Sequence, residues 1–139
     1  ASDHVPRKRE TKEKPVWSAS QGFPGTATIL PVLLDQGYHQ GRLSLERIAQ
    51  LLTSQPAEIF DLGNKGSLQP GADGDITIVD LNHKQKVNPE ALGSWSDYSL
   101  YEDRTFKGWP RRTILRGKTI MLNGEILGEG GYGRYLKRG

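Results

Sequence analysis

The sequence predicts an α/β chain that changes character near Gly63, with a loop and then helices before it and short strands after it. Two observations predict it. Before Gly63 the apolar residues recur at helical spacing, as in Leu45, Ile48, Leu51 and Leu52. After it they fall in short β-branched runs such as DITIVDL. A third observation concerns completeness: the helices have no sheet to cover, and about four short strands leave edges that need partners. The chain, which opens on Ala1 rather than Met, is therefore expected to be one segment of a longer protein.

Residues 1–22 are polar, charged and interrupted by Pro6 and Pro15, which predicts irregular loop. Arg7, Lys8, Arg9, Lys12 and Lys14 alternate there with Glu10 and Glu13, the pattern of a solvated surface. The run Ile29, Leu30, Val32, Leu33 and Leu34 is dense enough for a buried helix, with Gly25 before it and Gly37 as its stop. Pro31 either kinks that helix or sits in its first turn. Ser44 caps the next helix, and Glu46 complements the positive end of its dipole. SQPAEIFDLG predicts a short third helix, with Pro56 in the first turn and Gly63 past the end.

In the β half, Asp75 to Leu81 read as a strand. Residues 88–110 hold two of the three Trp and no sustained period, which predicts an ordered excursion anchored by aromatics. TILRG, KTIMLNG and EIL predict short strands, and Asn123-Gly124 supplies the positive φ angles of a tight hairpin turn. The tail GEGGYGRYLKRG is too rich in glycine for a core element.

Composition narrows the function. No apolar run reaches the roughly 20 residues of a membrane helix, so no membrane partner is expected. The absence of cysteine excludes disulfides, thiolate metal sites and a Cys nucleophile, and fits a cytoplasmic protein. The net charge of +3 is concentrated at both ends, in the 7–14 cluster and in Arg134, Lys137 and Arg138. Without interleaved aromatics, and with two glutamates inside the cluster, it does not read as a nucleic-acid surface.

Few residues carry chemistry by themselves. Asp3 can ligate a metal or accept a proton, and so can His4, but neighbours on extended backbone point to opposite faces. A turn Asp accepting backbone hydrogen bonds is the plain alternative. His39, between glycines in GYHQGR, reads as a surface loop residue, and His83, after a strand, as exposed. The three histidines show neither HxH nor HExxH spacing, so the sequence holds no complete zinc site. There is no GxSxG and no phosphate-binding glycine loop either.

The ordered series is more specific than any single residue. SDHVPR, GFPGTATILPVLL, GRLSLERIAQLLTSQPAEIFDLGNKGSLQPGADGDITIVDL, SDYSLYE, RTILRGKTIMLNGEIL and GYGRYLKR together resemble the C-terminal portion of the cyclic amidohydrolases, the dihydroorotase, allantoinase and dihydropyrimidinase (hydantoinase) group. The resemblance implies a (β/α)8 barrel with a small composite β domain of the urease type. Residues 1–62 would be the end of barrel strand eight, the active-site loop and the closing helices, and 63–139 the C-terminal part of the β domain.

It also implies a site at the C-terminal end of a barrel strand. Asp3 would be a metal ligand and the general base and acid, and His4 would support the ligands from behind. Phe23, Pro24 and Gly25 would lie against the substrate ring. Arg7 stands where dihydroorotases carry a His that contacts the substrate carboxylate. The cofactor implied is binuclear zinc, its other ligands (an HxH pair, a carboxylated lysine and two histidines) all preceding this chain. The activity implied is hydrolytic opening of a cyclic amide or ureide. Dihydroorotase-like and hydantoinase-like readings stand level, with allantoinase third. GFPGTATILPVLL favours the dihydroorotase and allantoinase side, SDYSLYE and GYGRYLKR the hydantoinase side. A homo-oligomer of the full-length protein is implied, and the segment alone would be inactive. A non-catalytic scaffold of the same fold is the alternative, against which the retained Asp3 argues.

Overall fold

The computed structural model describes residues 2–137; Arg138 of the basic tail lies outside the described residues. Its centre is one antiparallel meander of four strands in the order β1 (Ile76–Lys86), β2 (Thr105–Leu115), β3 (Lys118–Leu122) and β4 (Glu125–Ile126). The helical half consists of α1 (Ile29–Val32), α2 (Leu45–Leu52) and α3 (Ser54–Ile59), with a π-helical stretch, Leu33–Tyr38, continuing α1.

The two halves share a core. Val87, Phe106 and Trp109 are buried together, with Val32 of α1 and Leu92 and Tyr101 of the excursion packed against them. Phe106 is among the most deeply buried side chains, a burial that stabilises the fold by roughly 1.5–3 kcal/mol. Gly108 explains how the π-helical stretch comes so close to β2. Its φ is +100°, and a Cβ there would lie 2.7 Å from Cβ of Leu34, itself buried. Beside it, the Lys107 N–H donates to Asp35 Oδ1 at 2.8 Å.

Local rules account for much of the rest. Ser44 Oγ accepts from the Arg47 N–H, the expected cap of α2, and Ile48 is the buried centre of its apolar face. Pro31 sits in the first turn of α1, where a missing N–H costs nothing. Asn123 and Gly124 have φ of +52° and +89°, as a tight β3–β4 hairpin requires.

Several expectations need correction. Gly37 does not stop the helix. It is buried inside the π-helical stretch with Leu43 against it, and the chain turns only at Gly41. His39 is not a surface loop residue: its Nε2 lies 2.8 Å from the Leu81 carbonyl, pinning the helix end to β1, and its ring meets Tyr38 edge-on. β1 continues past Leu81 through an irregularity between Asp80 and Lys84, where Asp80 Oδ1 accepts the Asn82 and His83 N–H groups. His83 is therefore a half-buried strand residue. β2 starts at Thr105, inside the stretch read as excursion, and only one of the two tryptophans there anchors it. Trp109 is buried with its Nε1–H on the Phe106 carbonyl, whereas Trp95 is 64% exposed.

An ion cluster ties the 63–75 loop to the β2–β3 turn. Lys65 pairs with Asp73 at 2.6 Å and with Asp75, and Asp75 Oδ1 accepts the Arg116 N–H at 2.7 Å. Burial by itself would raise the Asp75 carboxyl, but hydrogen bonds from Lys65 and Arg116 outweigh it and hold it below the ordinary range. Lys65 is held above the ordinary lysine range by its bonds to Asp73 and then Asp75. A carboxyl depressed by folding stabilises above its unfolded value of about 3.9, and that contribution is lost as pH falls through the folded value. The raised lysine acts in the other direction, stabilising below about 10.4 and losing this at higher pH. Asp75→Asn should therefore lower stability at neutral pH by about 1–2 kcal/mol and flatten part of its fall below about pH 4. Urea midpoints across pH check this, and an acid limb identical to wild type would count against the cluster.

Candidate functional site

Asp3 and the 22–26 loop, some twenty residues apart in sequence, are joined side by side. His4 and Phe23 form a parallel β-bridge, and the Val5 N–H donates to the Phe23 carbonyl at 3.0 Å. His4 Nδ1 accepts from the N–H groups of both Gly25 and Thr26, at 3.1 and 3.3 Å. These bonds place the ring proton on Nε2 and leave Nδ1 fully engaged. Gly22 permits the approach: with φ +83°, any Cβ there would lie 2.4 Å from Cβ of Val5. Ser2 and Thr26 hydroxyls meet at 3.1 Å on the other side.

Asp3 makes none of these bonds. It is exposed, in the left-handed region at φ +46°, and its carboxylate has no hydrogen-bond or ion-pair partner among the described residues. Left-handed backbone is uncommon for a non-glycine residue, though Asp is enriched there. A cleft of about 240 Å³ opens at the seam, its walls including Ser2, Phe23, Pro24, Gly25, Val32 and Tyr101 but not Asp3. Tyr101 comes from the β half, and no local signal in the sequence pointed to it. A larger cavity of about 970 Å³, between α2–α3 and the sheet, shares no wall residue with this cleft.

The basic stretch after Asp3 is a largely exposed loop, as expected, but its first residues are anchored. Ser96 Oγ, buried, accepts the Arg7 N–H at 2.9 Å, and Asp97 Oδ1 accepts the Arg9 N–H at 2.8 Å. That hydrogen bond is the main reason the Asp97 carboxyl is held below its ordinary range. Arg9 pairs with Glu102 and lies over the Tyr98 ring, and Lys8 lies over Trp95 at 5.4 Å from the ring centroid. Lys12 is bound to the carbonyls of Ser20 and Gly22. The segment SDYSLYE therefore clamps the loop that follows Asp3. Arg7 alone of Arg7, Lys8 and Arg9 keeps an exposed guanidinium with no partner among the described residues.

His4, Phe23, Pro24 and Gly25 are thus brought together with Asp3 adjacent in the chain, while Arg7 is placed by its backbone on the loop that follows. Among the described residues, no three His, Asp or Glu side chains converge as a metal site would require. The bare Asp3 carboxylate fits one oxygen-donor position; the engaged Nδ1 of His4 fits none.

The model of the amidohydrolase family matches residues 23–120, and the chain belongs to that family. L-hydantoinase of Paenarthrobacter aurescens is 38% identical over 141 residues, covering 99% of this chain and 31% of the relative. Dihydroorotase of Methanothermobacter thermautotrophicus is 36% identical over 135 residues, covering 97% and 31%. Among solved structures, the D-hydantoinase (dihydropyrimidinase) of Thermus sp. superposes with a TM-score of 0.91 at 26% identity, over 98% of this chain and 31% of that one. The chain thus spans about a third of the length of these relatives. No helix among the described residues is long and apolar enough to cross a membrane.

Proposed function

We propose that this chain supplies the catalytic carboxylate and part of the substrate pocket of a cyclic amidohydrolase, a hydrolase that opens the C–N bond of a ring amide or ureide. The observation that carries the reading is the seam between residues 2–5 and 22–26. It joins the backbone on either side of the bare Asp3 to the loop whose Phe23, Pro24 and Gly25 wall a cleft, in a chain whose relatives are hydantoinases and a dihydroorotase. In this reading residues 1–62 close a (β/α)8 barrel and residues 63–139 belong to a small composite β domain. The remaining barrel strands and metal ligands come from sequence outside this chain. Without them the chain is inactive.

The cofactor in this reading is a zinc pair, with Asp3 as one ligand and the others outside the chain. Zinc, when bound, supplies Lewis acidity toward the ring carbonyl and acidifies water. Asp3 takes the proton from the attacking water and returns it to the leaving ring nitrogen. His4 holds the backbone of Gly25 and Thr26 in place, so that the loop bearing the ring-facing residues keeps its distance from Asp3. Phe23 and Pro24 offer an apolar wall to the flat ring, and Arg7 meets an anionic substituent through its planar guanidinium. In this reading the full hydrolase is a homo-oligomer in the cytoplasm.

The full-length hydrolase, loaded with zinc, should open hydantoin, dihydrouracil or L-dihydroorotate, followed by loss of ring absorbance and appearance of the carbamoyl acid. A metal-replete, folded protein inactive on all of these rings and on allantoin would defeat the reading and favour a non-catalytic scaffold.

A further inference from the structure

We propose that Lys12 is a positioning residue that fixes the ring-facing loop and thereby sets the affinity of the site for its substrate. Lys12 is half-buried, and its ammonium donates to the carbonyls of Ser20 and Gly22. It forms no ion pair among the described residues. A lysine whose two hydrogen bonds both go to the main chain of one loop is a clasp rather than a free surface charge.

The geometry links that clasp to the site. The peptide plane that contains the Gly22 carbonyl also contains the Phe23 N–H, so holding one aims the other. Just beyond, the Phe23 carbonyl is held by the Val5 N–H, and the Gly25 and Thr26 N–H groups are held by His4. The loop is therefore anchored by Lys12 at its near end and by His4 at its far end. Between them Pro24 has no N–H with which to anchor itself. Those unanchored atoms form the wall of the cleft. At the base, the Ser20 N–H donates to the Thr11 carbonyl at 3.0 Å, so the residue beside Lys12 closes the same loop.

Lys12 touches the loop one peptide away from the ring-facing residues and makes no bond to Asp3, whose carboxylate has no partner among the described residues. The loss of Lys12 should fall on binding more than on chemistry. This inference rests on the reading that Phe23, Pro24 and Gly25 meet the ring, and the test separates the two. In the full-length, metal-loaded hydrolase, Lys12→Met should raise KM for ring substrates by about tenfold or more while kcat stays within about threefold. Lys12→Arg, which can still reach two carbonyls, should recover most of that KM. Phe23→Ala is measured alongside. If Phe23→Ala raises KM and Lys12→Met does not, or if Lys12→Met lowers kcat at unchanged KM, the positioning role is wrong and the loop reading survives. If Phe23→Ala leaves KM unchanged, the loop reading falls and the inference with it. Should Lys12→Met fail to fold, Lys12→Gln, which keeps donors for one carbonyl, is judged by the same KM criterion.

Discussion

Asp3→Asn should lower turnover of every ring substrate by about 10² to 10⁴, the scale of a lost general acid–base group. The substitution keeps the size of the side chain and one oxygen donor but removes the basicity that takes and returns the proton. It should leave the fold alone, for two reasons seen in the structure. The carboxylate has no partner among the described residues, so no hydrogen bond or ion pair with them is lost. The backbone there is left-handed at φ +46°, a region that Asn accepts as readily as Asp. Metal content, measured on the same preparation, should fall much less than turnover, because in the proposed reading the other ligands lie outside this chain. Near-normal turnover with full metal content would sink the assignment of Asp3 as the base and return it to a turn residue. A parallel loss of metal and turnover would instead make Asp3 a ligand whose proton transfer is done by another group.

What the sequence made legible here is what local chemistry decides. The Ser44 cap, the first-turn Pro31 and the Asn123-Gly124 hairpin depend on residues within a few positions, and their signals are strong. β1 was read too short because NHKQK, at its end, is polar and lacks β-branched residues, yet the ladder to Phe106 and Thr105 continues there. The π-helical stretch was invisible because the room that Gly37 and Gly108 provide is a property of the packed neighbours, not of either glycine's own sequence. The clamp over Arg7 and Arg9 comes from residues 88 to 93 positions away, beyond any periodic pattern. Charge complementarity between the basic run and Asp97 and Glu102 was its only signal, and many other pairings in this chain would have satisfied it equally. His4 is the intermediate case. The expectation that Asp3 and His4 face opposite ways rests on extended backbone, whereas Asp3 is left-handed at φ +46°, and the Gly25 and Thr26 N–H groups that His4 holds lie beyond any local signal.

In the proposed reading Arg7 meets an anionic substituent of the substrate, and Arg7→Ala should show it. Lys8 and Arg9 are taken up by Trp95, Tyr98 and Glu102, while the Arg7 guanidinium is exposed with its main chain fixed by Ser96. A fixed backbone with an uncommitted, forked cation is suited to receive a carboxylate, which it can bind through two parallel N–H bonds. Hydrogen bonds to charged groups contribute about 1.5–3 kcal/mol each, so losing that partner should raise KM for L-dihydroorotate by roughly 10- to 100-fold. Neutral hydantoin and dihydrouracil, which carry no carboxylate, should change by less than about threefold. Arg7→Lys should restore only part of the difference, since an ammonium binds as a point charge and cannot make the fork. Steady-state KM values for the three rings on wild type and both variants measure this directly. A small and equal effect on charged and neutral rings would place Arg7 outside the pocket, as a surface cation. The fork geometry also makes a prediction about salt. If Arg7 binds the substrate anion at an exposed site, KM for dihydroorotate should rise between low and physiological ionic strength, and the Arg7→Ala variant should lose that rise.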